Sequence, residues 1–313
     1  MARMARIKVD GSDGWYHVHS SVSGVRGEYV LSKPICQKKL IDLVKHYSKV
    51  YCCEIASFVI MGNHWHGILH FECPYEMTPD ELYRRARQFY PSELSKKQLD
   101  VWTPEKWDHF AKRIFDISEF MRNVQSAFAT WYNKLHCRRG RFWSDRYKSV
   151  TLGDLASVQD CMLYVDLNPV RAGLVERPEE WKGSSIYYRD IGKADWLLRL
   201  KSICDAKTEK AALIDYRSRL YHRGNVPTKP GQSKISDSIL AEEAARGFTV
   251  SGIYLKRFRY FADGLAIGSE TFLREQLSHL RDIGYYKRRV HPIVQPEGLH
   301  LSLREQRSHA VSL

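Results

Sequence analysis

The sequence predicts a fold that mixes β-strands with α-helices, and two observations point to it. An alternating strand, an amphipathic helix and a pair of strands follow one another within the first 71 residues. Farther along, apolar residues recur at three- and four-residue spacing, as on the buried face of a helix. No run reaches the roughly 18 consecutive apolar residues of a membrane span, and the N-terminus lacks the apolar core of a signal peptide. We therefore expect a cytoplasmic protein that does not enter a membrane.

The N-terminal elements are defined by alternation and by turn residues. Residues 14–24 are predicted to form a strand, in which His17 and His19 share one face. Residues 32–51 predict a helix. The strands "CCEIASFVI" and "HWHGILHF" follow, separated by a turn at Gly62 and Asn63. The predicted order is therefore strand, helix, hairpin.

The rest of the chain is predicted to be mainly helical. Residues 118–135 carry a long apolar stripe, and another helix runs from about residue 154 to Asn168, where Pro169 ends it. Residues 74–117 are polar and helical in character, and we expect an insertion there. The expected division of the chain is a main domain over 1–200, a connecting region and linker over 201–234, a small basic helical region over 235–293 and a flexible tail over 294–313.

The charge of the chain favours an acidic partner. The formal net charge is +13 and the pI is near 9.3. The stretches 134–148, 256–260 and 285–289 interleave bases with aromatic residues, which suits a phosphate backbone with unstacked bases. Many basic proteins do not bind nucleic acid, so this pattern leaves both interpretations open.

The cysteines exclude two kinds of small-domain framework. There are seven, an odd count, and no two are spaced as CxxC. A zinc ribbon or a set of disulfides is therefore not expected, and reduced thiols fit best.

Two histidines stand one residue apart in the stretch "FVIMGNHWHGILHF". On a strand, the Cα atoms of His64 and His66 would lie about 6.6 Å apart on one face, so both rings could bind one metal ion. His70 shares that face but would lie about 13 Å from His66, too far to bind the same ion. The alternative is that both are ordinary core histidines.

A tyrosine and an asparagine lie one helical turn apart near the end of the helix at 154–168. Tyr164 and Asn168 would share a face, away from the centre of the apolar stripe. Packing and capping would also explain them. A phenol, with an ordinary pKa near 10, becomes a nucleophile only when a cation or base helps to remove its proton.

Three stretches occur together in one known order. The combination of "MGNHWHGILHF", "GRFWSDRYKSV" and "YVDLNPVRAGLVERPEEWKGSS" resembles the REP-associated tyrosine transposases, which belong to the single-tyrosine HUH transposases and nucleases acting on single-stranded DNA. The resemblance spans roughly residues 5–190, interrupted by the insertion. Residues 260–272 are similar to a C-terminal element of some members.

The resemblance implies a fold and a metal site. The fold would be α+β, with a ferredoxin-like antiparallel sheet and packed helices (the HUH fold), a helical insertion and a C-terminal helical extension. His64 and His66 match the pair that holds a divalent cation, usually Mg²⁺ or Mn²⁺. Asn168 matches the position of a polar third ligand.

The resemblance also implies a nucleophile. Tyr164 matches the tyrosine on a helix that faces the sheet. Tyr132 is a competing candidate, and we favour Tyr164 because a polar residue follows it four positions later.

DNA-binding candidates lie in two of these stretches. Arg141, Trp143, Arg146 and Lys148 fall in a family-typical segment that would contact DNA or shape the site, and Arg171 lies in the third stretch. Arg146 could instead pair with a carboxylate, and Trp143 could belong to the core.

The implied function is a DNA transposase or endonuclease that cuts and rejoins single-stranded, hairpin-forming DNA through a 5′-phosphotyrosine. It would be associated with the nucleoid. The absence of a GxxxxGK[ST] loop agrees with a reaction that needs no ATP. One active site cuts one strand end at a time, so a homodimer or two successive events would be required. The alternatives are a domesticated hairpin-binding protein that does not cut, and a metal-dependent nuclease that uses water.

Overall fold

The structure, a computed structural model, describes residues 6–9, 11–24, 29–227, 231–245 and 264–282, together with the backbone of 293–294 and 301–304. The basic stretches 256–260 and 285–289, and most of the expected tail, lie outside the described residues.

Within these ranges the strands form one sheet with the order β2-β3-β1-β4-β5-β7-β6. The strands are β1 (Gly14–Ser21), β2 (Cys53–Ile60), β3 (His64–Phe71), β4 (Lys148–Leu152), β5 (Gly264–Gly268), β6 (Ile293–Val294) and β7 (Leu301–Arg304). The described α-helices are α1 (Pro34–Val50), α2 (Pro79–Phe89), α3 (Glu93–Leu99), α4 (Pro104–Arg113), α5 (Ile117–Leu135), α6 (Leu155–Asp166), α7 (Asn168–Arg171), α8 (Ser185–Asp190), α9 (Glu209–Asn225), α10 (Asp237–Ala245) and α11 (Glu270–Asp282).

The first four strands confirm the expected fold class. They are antiparallel to their neighbours, and their order with α1 and α5 as the connecting helices is that of a ferredoxin-like α+β core. The predicted insertion is helical, because α2, α3 and α4 all lie between β3 and α5. No described helix is long and apolar enough to cross a membrane.

The sheet separates two apolar layers. Trp65 and Leu69 of β3 face a layer that contains α1 and α5. Ile68 faces the opposite layer, which α6, α8 and α9 cover. Because side chains alternate along a strand, His64 and His66 lie on the second face, next to α6.

The described C-terminal part of the chain contains helices, α10 and α11, as expected, together with strands that the sequence did not predict. β5 pairs in parallel with β4, through Thr151 with Ala266 and Leu152 with Ile267, and β7 pairs with β5. The sheet is therefore mixed beyond β4. The expected connecting region also differs, because α9 packs into the second layer through Tyr216 and Leu220, both at most 2% exposed.

Neither side of the four-stranded core is left as an open edge. On the β2 side, Ile60 N donates to Gly183 O at 2.8 Å and Leu198 N donates to Ile55 O at 2.9 Å. On the other side, β5 covers β4. The core sheet is thus bordered by this chain's own later segments.

Candidate metal centre and nucleophile

Three histidines from two strands form one cluster. The antiparallel register of β1 and β3 places His19 directly opposite His66 and Ser21 opposite His64. The ring centroids of His19 and His66 are 4.7 Å apart, those of His64 and His66 are 5.0 Å apart, and those of His19 and His64 are 5.4 Å apart. One potential ligand nitrogen from each lies within 4.8 Å of the others, so the three side chains could hold a metal ion.

Neighbouring side chains orient two of these rings. His64 Nδ1 and Asn63 Oδ1 are 2.7 Å apart, so Nδ1–H donates to the amide oxygen and Nε2 keeps its lone pair. His66 Nδ1 and His17 Nε2 are 2.9 Å apart, and the two rings stack with an interplanar angle of 13°. The other nitrogen of His66 is therefore the one left for a metal. Such outer partners fix the orientation of metal-binding imidazoles in known sites.

The electrostatics of the cluster favour neutral rings. Burial, followed by the charges of His64, His17 and Lys148, lowers the pKa of His19 to about 3. Burial is also the main cause that lowers the pKa of His64, and it lowers the pKa of His66 well below the ordinary value. Neutral imidazoles carry the lone pairs that metal binding requires. The residues therefore fit a divalent cation.

Tyr164 lies beside this cluster. Asp154 caps the start of α6 by accepting a hydrogen bond from Ser157 N, and Val158 and Val165 seat the helix on the sheet. The half-buried ring of Tyr164 then lies 5.9 Å from the ring of His66, in an edge-on arrangement. It lies equally far, 5.9 Å, from the ring of His17.

The rival tyrosine lies in the other layer. Tyr132 of α5 is 5% exposed, and its ring packs 4.7 Å from that of Phe142 in the apolar layer on the opposite face of the sheet. The sheet itself separates Tyr132 from the histidine cluster.

Asn168 connects α6 to the short helix α7. Its Nδ2 donates to Tyr164 O at 2.9 Å and to Val165 O at 3.3 Å, so the amide closes the last turn of α6. Pro169 lies in the first turn of α7, where its missing N–H costs nothing. The predicted helix end at Pro169 is thus an interruption, after which one further turn carries Arg171. The Cζ atom of Arg171 lies 5.9 Å from the centre of the Tyr164 ring.

The predicted DNA-binding segment starts next to the histidines. Ser23 N donates to Phe142 O at 2.7 Å and Ser144 N donates to Ser21 O at 2.9 Å, which ties residues 142–144 to the end of β1. Ser21 is the residue of β1 that lies opposite His64, so this segment begins next to the histidine cluster.

The four residues predicted in that segment have different environments. Arg141 and Arg146 are exposed, and Lys148 is exposed and pairs across the strands with His19. Trp143 is only 8% exposed and its indole N–H donates to Gln125 O at 2.8 Å, so the indole belongs to the core, as the alternative interpretation held.

His70 lies apart from the cluster, at the far end of β3. Its ring stacks on Trp15 with 4.3 Å between centroids. Its Nδ1 is 3.0 Å from a carboxylate oxygen of Glu54 and its Nε2 is 3.2 Å from one of Asp13. These contacts agree with the prediction that His70 does not bind the same ion.

The residue that sequence reasoning missed is His19. Its signal was present, because His17 and His19 alternate on one face of the first strand. Which of them lies directly opposite His66 depends on the register between β1 and β3, and that register is set by tertiary pairing.

Comparison with known proteins gives a limited result. No family model matches the chain, and no curated protein matches it. Among solved structures, the chain is similar to a REP-associated tyrosine transposase bound to a REP hairpin, with 16% identity and a TM-score of 0.40. The match covers 66% of this chain and 96% of that one.

Proposed function

We propose that the protein is a metal-dependent transposase or nuclease that cuts and rejoins single-stranded DNA through Tyr164. The observation that carries the proposal is the position of Tyr164, whose ring contacts His66 at the edge of a three-histidine cluster able to hold a metal. A nucleophilic side chain beside a cation site is what phosphoryl transfer to that side chain requires.

The residues at this site have separate tasks in the proposed reaction. His64, His66 and His19 would hold the cation, with the free Oδ1 position of Asn168 as a further candidate ligand. When bound, the cation would polarise a non-bridging phosphate oxygen and stabilise the charge that develops there. Tyr164 Oη forms a bond to phosphorus as the bond from phosphorus to the 3′-oxygen breaks.

This step exchanges one phosphodiester bond for another and transfers one proton. The phenol loses its proton as it attacks, and the departing 3′-oxygen takes up a proton, giving a 5′-phosphotyrosine and a free 3′-hydroxyl. The new bond is again a phosphodiester, so a 3′-hydroxyl can attack it and rejoin the strand without a nucleoside triphosphate.

The three histidine nitrogens of the cluster affect which metal ion it would prefer. Mg²⁺ prefers oxygen ligands in octahedral geometry, whereas imidazole nitrogens suit transition metals. A third histidine in place of an oxygen ligand therefore favours Mn²⁺ over Mg²⁺ among the two expected ions.

The proposed substrate is single-stranded DNA next to a hairpin. Arg141, Arg146 and Lys148 place exposed positive charge around the end of β1, where a phosphate backbone could approach the cluster. Trp143 would contribute by holding this segment in place, because its indole is buried.

A labelled hairpin oligonucleotide, incubated with the protein and Mn²⁺, tests the proposal. We expect a covalent protein–DNA adduct that is lost in Tyr164→Phe and retained in Tyr132→Phe, a matched control from the opposite layer. Strand cleavage that survives in Tyr164→Phe would instead identify a water-using nuclease. Tight hairpin binding with no cleavage in the wild type would identify a DNA-binding protein that does not cut.

A further inference from the structure

Arg171 of α7 places a positive charge beside Tyr164. Arg171 follows Tyr164 by seven residues, two helical turns, and its guanidinium lies 5.9 Å from the phenol ring. Its Nε is buried and has no hydrogen-bond partner. Within the described part of the chain, no carboxylate forms an ion pair with Arg171.

Arg223 of α9 approaches the same place. α9 packs closely on the junction of α6 and α7, because a Cβ added at Gly224 would lie 2.9 Å from a side-chain carbon of Leu167. Arg223 is 4% exposed. Burial first, and the charge of Arg223 second, lower the pKa of Arg171 to about 10, while the proximity of Tyr164 opposes this.

A guanidinium group in a half-buried place is costly without a compensating anion. Two other half-buried arginines of this protein have one. Arg177 pairs with Glu243, and Arg217 pairs with Glu179 at 2.7 Å. Arg171 differs from them, which argues against a purely structural role.

We propose that Arg171 forms a binding site for a single phosphate group beside Tyr164. In terms of the proposed function, on which this part of the inference rests, the site would hold the phosphoryl group on Tyr164 between cutting and rejoining. The planar fork of the Arg171 guanidinium suits two oxygens of one phosphate. Its half-buried position suits one group, whereas the exposed Arg141 and Arg146 suit a run of backbone.

The phosphate site can be tested without DNA or metal. Inorganic phosphate is added to the metal-free full-length protein, with chloride at the same ionic strength as the reference, and the unfolding temperature is measured. Phosphate should raise that temperature in the wild type and in the control Arg84→Gln, which alters an exposed arginine of α2. In Arg171→Gln the apparent phosphate affinity should fall about tenfold or more, since a charged hydrogen-bond donor is lost.

The variant's own stability separates a binding site from a structural contact. Without phosphate, Arg171→Gln should unfold at the same temperature as the wild type or higher, because the substitution removes a like-charge contact. Arg171→Lys should retain part of the phosphate effect, because it keeps the charge and loses the fork. If phosphate raised the unfolding temperature of Arg171→Gln as much as that of the wild type, the proposal that Arg171 binds phosphate would be wrong.

A second experiment, with DNA, distinguishes a site for free phosphate from a site for the phosphate of a DNA end. A 5′-phosphorylated oligonucleotide should compete with inorganic phosphate better than its 5′-hydroxyl counterpart, and Arg171→Gln should abolish the difference. In the hairpin assay, the variant should form less adduct or rejoin it more slowly. If the wild type forms no adduct but phosphate binding depends on Arg171, the proposed function fails while the phosphate site stands. Adduct formation and rejoining at wild-type levels in Arg171→Gln would overturn the role of the site in the reaction.

Discussion

We expect the hydrogen bond between His17 and His66 to strengthen metal binding by an amount that can be measured. His17 is 1% exposed and His66 is 3% exposed, and the 2.9 Å contact between them leaves one nitrogen of His66 for the ion. Replacing His17 with phenylalanine keeps a ring that can stack on His66 but removes the nitrogen. Loss of such an orienting partner weakens metal binding by about 10- to 100-fold. This corresponds to roughly 1.4–2.8 kcal/mol.

Calorimetric titration of the metal-free protein with Mn²⁺ near neutral pH measures this effect directly. His70→Phe is the matched control, since it removes another, partly buried imidazole from the same face of the sheet without touching the cluster. The control should bind Mn²⁺ as the wild type does. A His17→Phe protein that is folded by circular dichroism and binds Mn²⁺ with unchanged affinity would refute the assigned role of His17.

Three further predictions concern residues around the cluster. Trp143→Ala should lower the free energy of unfolding in urea by about 3–5 kcal/mol, as for a large core side chain, and a near-neutral effect combined with lost DNA binding would point to base stacking instead. Lys148→Ala and Arg141→Ala should each reduce the slope of log affinity against log salt by about 0.7 for single-stranded DNA; an unaltered slope would remove that residue from the interface. Burial lowers the pKa of His70, but the hydrogen bonds and charges of its two carboxylate partners outweigh burial and raise it. The wild type should therefore lose stability as pH rises from about 6.5 through the raised value, and His70→Gln should lose less; equal pH profiles in urea unfolding would contradict this.

Local patterns predicted the elements around the site well. The strand "HWHGILHF" corresponds to β3 (His64–Phe71), and the predicted helix at 118–135 corresponds to α5 (Ile117–Leu135). Period-two alternation and the Gly62–Asn63 turn depend only on residues that are close together in the sequence, so they can be recognised without knowing the tertiary structure.

What could not be predicted depends on pairing between distant segments. β4 is only five residues long, and β5 joins it from more than a hundred residues later in the chain. The third histidine of the cluster depends on the same kind of information, because a shift of one residue between β1 and β3 would turn His19 to the other face. The approach of α9 to the junction of α6 and α7 also depends on tertiary packing, because the sequence alone placed this segment in a connecting region.

The parallel strand β5 also bears on how two copies of this protein could associate. Without residues 264–268, the outer side of β4 would present unpaired backbone N–H and C=O groups one strand away from His19. Such an exposed strand invites pairing with the same strand of another molecule, and the product would be a continuous intermolecular sheet. Because this chain fills that position itself, two intact copies cannot pair through the outer side of β4, and shortened versions lacking β5 should tend to aggregate.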